Sequence, residues 1–156
     1  MALLRLALLS LAACGQAGAQ PSTTSGLAAP AGWRALPELA SAVVEAAKTD
    51  GVTIDGAEGW GETSRGCFGV WLALHGSGAT AEAVLAGLAT EKLAVTEVVK
   101  PDGDGLVSAT FAKPPFSGHL RARLADGKIT ALACFANARE PKSCEAACTT
   151  LLGGLP

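Results

Sequence analysis

Four cysteines, Cys67, Cys134, Cys144 and Cys148, constrain this chain more than any other feature. An even set of cysteines in a small domain poor in large apolar side chains is the pattern of an exported fold held by cross-links. Hydrophobic residues make up 49% of the 156, yet aromatic residues only 4%, and tyrosine is absent. An alanine-rich interior buries little area per side chain, so at roughly 25 cal/mol per Å² its core has a thin margin. Two disulfides would repair it. Four cysteines allow three pairings, and their positions alone leave the choice open. Cys144 and Cys148 lie one helical turn apart and share a helix face, which favours a bond from each to a strand cysteine over a strained bond within the helix. Zinc requires paired short spacings, whereas the gaps here are 66, 9 and 3 residues, so no metal is expected. No Cys-x-x-Cys is present to suggest redox chemistry.

The fifth cysteine closes an apolar run that opens with a lone basic residue, Arg5, and ends Leu11-Ala12-Ala13-Cys14-Gly15. A basic start, a brief apolar centre and small residues before a cut describe a secretory signal. Because the small residues lead directly into cysteine, the stretch resembles the lipobox of bacterial lipoprotein precursors. The resemblance implies that residues 1–13 are a signal peptide and that Cys14 is acylated through its sulfur and becomes the first residue. The mature protein is then exported and lipid-anchored in the cell envelope. Gly15 in place of Asp implies transfer to the outer membrane, facing periplasm or surface. The alternative is an ordinary signal cut after Ala17-Gly18-Ala19. A retained membrane span is disfavoured, since only about a dozen residues are apolar where roughly 20 are needed. Residues 15–32, rich in Ala, Gly, Pro, Ser and Thr, read as a flexible tether from the lipidated cysteine. Residues 33–156 remain for a single domain.

Net charge is −2, or −3 once Arg5 leaves with the signal. Without a basic stripe there is no electrostatic footprint for nucleic acid, nor for an anionic bilayer. The lipid would be the membrane contact.

Pro37, Glu38 and an apolar face of Leu36, Leu39, Ala40, Val43 and Ala47 predict a helix over roughly 36–48. A strand opens at Val52 and runs towards Trp60, where Gly56, Gly59 and Gly61 read as a loose turn. From Cys67 to His75 alternation assigns both faces: Phe68, Val70, Leu72 and Leu74 on one, Cys67, Gly69, Trp71, Ala73 and His75 on the other. Thr80 caps a second helix to about Leu93. Four short strands follow, at 93–100, 106–111, 119–124 and 129–135, and Ser143 caps a closing helix that Gly153-Gly154 ends. The order α-β-β-α-β-β-β-β-α predicts an α+β domain: a curved antiparallel sheet of five to six strands with helices packed on one face. As architecture alone it is similar to folds of the PsbP/Mog1 kind.

Chemistry is sparse. Trp71 to Gly78 resembles the His-Gly oxyanion loop of α/β-hydrolases, but no Gly-x-Ser-x-Gly elbow exists in the chain. Asp102-Gly103-Asp104-Gly105 begins like a calcium loop and lacks its later ligands; Pro114-Pro115 reads as a rigid connection. Trp71, His75, Arg121 and Arg123 are the candidate ligand contacts, the arginines as grips for an anion. With no complete catalytic set, no catalytic residue and no cofactor is assigned. The expectation is a non-catalytic binding or assembly module. Its alternatives are a small-ligand or sensor domain with a pocket near Trp71 or Trp60, and an envelope hydrolase or thiol enzyme, which would need His75 or a free cysteine in a cleft beside a carboxylate.

Overall fold

The computed structural model describes residues 24–48, 51–90, 92–99, 105–137 and 141–155. The lipobox, most of the tether and the Asp102–Asp104 segment lie outside them. The elements are β1 (Arg34–Ala35), α1 (Pro37–Ala47), β2 (Thr53–Glu62), β3 (Cys67–His75), α2 (Ala81–Thr90), β4 (Ala94–Val99), β5 (Leu106–Lys113), β6 (Phe116–Ala125), β7 (Lys128–Asn137) and α3 (Glu145–Gly153), the last preceded by a 3-10 turn at Pro141–Ser143. Seven strands form one open antiparallel sheet in the order β1-β2-β3-β7-β6-β5-β4. The predicted α+β class and element order stand. The seventh strand is the two-residue β1, too short to carry any periodicity.

Local signals act as their chemistry requires. Pro37 sits at the start of α1 with Glu38 in its first turn, and the Thr80 hydroxyl accepts from the Ala83 amide at 3.1 Å to cap α2. At α3 the capping position falls on Cys144, one residue beyond Ser143. The glycines of β2 differ from expectation. They lie within a strand that continues to Glu62, and Gly59 is there because α1 begins on top of it: a Cβ would stand 2.7 Å from the Leu36 carbonyl.

The sheet is covered on both faces, which is why β3 is buried along most of its length. Phe68, Val70, Leu72 and Leu74 pack with Leu36, Leu39 and Val43 of the α1 segment, Val84 and Leu85 of α2, and Phe111 and Phe135. Cys67, Trp71 and Ala73 pack with Trp33, Trp60, Leu132 and Leu151 on the opposite face. The expectation of helices on a single face is corrected here. α1 and α2 share one face, and α3 lies on the other, because its covalent partners share the parity of Trp71.

Those bonds are Cys67–Cys144 and Cys134–Cys148, with Cα–Cα separations of 5.6 and 5.5 Å. Each joins a strand to the helical segment, the arrangement favoured by the spacing. Gly69 completes the seat: a Cβ at this position would lie 2.4 Å from Leu151 Cδ2 and 3.1 Å from Trp33 Cζ3, so only a bare backbone lets α3 settle.

Candidate functional site

The fold presents a cleft of about 290 Å³ between one flank of α3 and strands β5, β6 and β7. Three rungs hold its helical wall at successive turns. Cys144 bonds Cys67, which is in line across the sheet with Ala136 and Ser117. Cys148 bonds Cys134, whose cross-strand neighbour is His119. Arg121 Nη1 donates to the Leu152 carbonyl at 3.1 Å. Rungs at helix positions 144, 148 and 152 thus meet strand positions 117, 119 and 121. Four helical residues rise about 6 Å and two strand residues about 6.6 Å, so helix and strand stay in step and the cleft keeps its width.

Its polar groups come from both walls. Lys142, Glu145 and Thr149 follow one stripe of the helical segment, and Ser117, His119 and Thr110 face them from the sheet. His119 is held by a chain of hydrogen bonds. The Thr110 hydroxyl donates to Glu97 Oε2 at 2.8 Å, so its oxygen is left to accept from His119 Nδ1 at 3.2 Å. A hydroxyl has one proton to give, so His119 Nδ1 carries an N–H, and in the neutral imidazole Nε2 is then the acceptor. Glu97 reaches this position from a left-handed backbone, φ 52°, at the bulge between Thr96 and Val99. Thr149 gives its own proton to the Glu145 carbonyl at 2.9 Å.

The residues singled out in the sequence are dispersed. Trp71 is 4% exposed in the packed cluster with Trp33 and Trp60, and neither Trp71 nor Trp60 lines the cleft. His75 stands at the open end of β3, with Nδ1 2.8 and 3.0 Å from the two oxygens of Asp55. It has the carboxylate neighbour that hydrolase chemistry would ask for, but it does not line this cleft. Arg121 is spent on the end of α3, and Arg123, two residues along the same face, is exposed. In the sequence His119 reads as the start of a strand with a solvent-exposed face. Its partners Thr110 and Glu97 come from two other strands, so no local spacing marks them. The Lys142, Glu145, Thr149 stripe has helical spacing and was open to being read.

Among the described residues every buried side-chain nitrogen and oxygen has a hydrogen-bond partner, no cluster of three metal-ligating side chains occurs, and no helix is long and apolar enough to cross a membrane. No family model matches the chain, and no curated protein matches it either.

Proposed function

We propose that this is a lipid-anchored, non-catalytic binding module of the bacterial cell envelope, with the cleft beside α3 as its recognition surface. The observation that carries the reading is the accounting of cysteines. Of the five in the sequence, four pair with one another in two buried strand-to-helix disulfides. Bonds of this kind belong to oxidising compartments. The fifth, Cys14, is left for other chemistry, and it sits behind Leu11-Ala12-Ala13 at the end of a signal-like run. A small-ligand role is the form of binding that the cleft favours, since its volume of about 290 Å³ falls just below the roughly 300–1,000 Å³ of drug-sized ligand sites.

Intact mass of the protein from its host membrane, before and after reduction and alkylation, tests the reading. A species that begins at Cys14, heavier by its acyl chains, with four alkylations only after reduction, is expected. A lipid-free species beginning at Gln20, or cysteines alkylated without reduction, would overturn the anchor or the cross-links respectively.

A further inference from the structure

We infer that the cleft beside α3 binds a compact zwitterion, a molecule of amino-acid to dipeptide size bearing a primary ammonium and a carboxylate; this rests on the cleft being the recognition surface.

The argument is an inventory of protons. The Thr149 hydroxyl has given its proton to the Glu145 carbonyl, so towards the cleft it can only accept. In the neutral imidazole the Nδ1 proton of His119 is committed to Thr110, which leaves Nε2 as an acceptor without a partner among the described residues. The Glu145 carboxylate accepts only, and no ion pair engages it among the described residues. Three acceptors on the walls of one small cleft call for a ligand group with several N–H donors and positive charge, which describes a primary ammonium. One turn before Glu145, Lys142 brings the opposite charge, also outside any ion pair among the described residues, to take a carboxylate. An anion alone would meet Glu145, and a cation alone would meet Lys142.

The site is also built in advance. Cross-links at positions 144 and 148 and the Arg121 contact fix the helical wall, and Glu97 and Thr110 fix the imidazole. A ligand therefore has to order only the exposed Lys142 and Glu145 side chains and not the wall that carries them, which limits a cost that otherwise subtracts from affinity.

The test is an amide NMR titration of the oxidised protein with L-alanyl-L-alanine, L-alanine, ethylammonium and acetate. The two zwitterions are expected to give saturable shifts at residues 117–119 and 145–149, with ethylammonium weaker and acetate weakest. Glu145→Gln should weaken zwitterion binding about tenfold, the loss of one charge-assisted contact, while Arg65→Gln, remote from the cleft, should not. Glu145→Gln keeps the side-chain shape, and an unchanged disulfide mass and urea midpoint would show it folded. If acetate alone shifts the cleft signals and Glu145→Gln does not weaken it, the zwitterion inference falls while the cleft survives as a recognition surface. If none of the four probes shifts these amides at about 10 mM, near the weakest affinity worth assigning, both fall.

Discussion

The two disulfides close loops of very different length, and that difference sets a testable order of stabilities. Cys67 and Cys144 are 77 residues apart, Cys134 and Cys148 only 14. Cross-linking restricts the unfolded chain by an entropy that grows with the logarithm of the loop. At 25 °C that comes to about 4.5 kcal/mol for the longer and about 3.0 kcal/mol for the shorter. The local packing losses largely cancel in the comparison, since each bond joins one cysteine essentially inaccessible to solvent to another that is also buried. Replacing Cys67 and Cys144 with alanine should therefore cost about 1.5 kcal/mol more than replacing Cys134 and Cys148. Urea unfolding of the two double variants, both with the remaining bond intact, measures this. The comparison must use extrapolated free energies and not midpoints, because a chain released from a long loop unfolds to a more expanded state and changes the slope as well. Equal losses, or a larger loss for Cys134–Cys148, would refute the loop-entropy account and place the stabilisation in native contacts around β7.

Three further outcomes are expected. Gly69→Val should destabilise by about 1–3 kcal/mol through overpacking under α3, read by urea unfolding together with a change in the tryptophan near-UV signal, because its Cβ would run into Leu151 and Trp33. Arg121→Met keeps the apolar stem and loses the bond to the Leu152 carbonyl; about 1 kcal/mol and faster amide exchange at Gly154 and Leu155 should follow. Glu58→Ala removes the acceptor of both the Ser25 amide, at 2.8 Å, and the Ser25 hydroxyl, at 2.6 Å. Exchange of the Ser25 amide should rise towards that of an open chain, while the urea midpoint moves little.

What was legible in the sequence follows from how far each signal reaches. Alternation in β3 and the Thr80 cap depend on residues within a few positions of one another, and both fold as read. The glycines of β2 were misleading because the cause of Gly59, the start of α1, lies more than 20 residues upstream. The face of α3 could have been derived. Once Cys67 shares a side with Trp71 and the cysteines of the last helix reach for strand cysteines, that helix must lie across the sheet from Phe68 and Val70. The cleft was not derivable, since Glu97, Thr110 and His119 meet only through the pairing of β4, β5 and β6. The segment read as tether is also engaged before Trp33, with Leu27 packed against the core cluster beside Gly154.

Because both cross-links end in the helical segment that covers Trp33 and Trp60, completion of this fold is tied to the redox state of its surroundings. A nine-residue helix does not persist alone in water, and with thiols in place of disulfides nothing covalent returns it to the sheet. A reduced chain therefore holds Leu151 over Trp33, Trp60 and Gly69 by noncovalent packing alone. The piece that shuts the core is thus the one whose hold an oxidant strengthens.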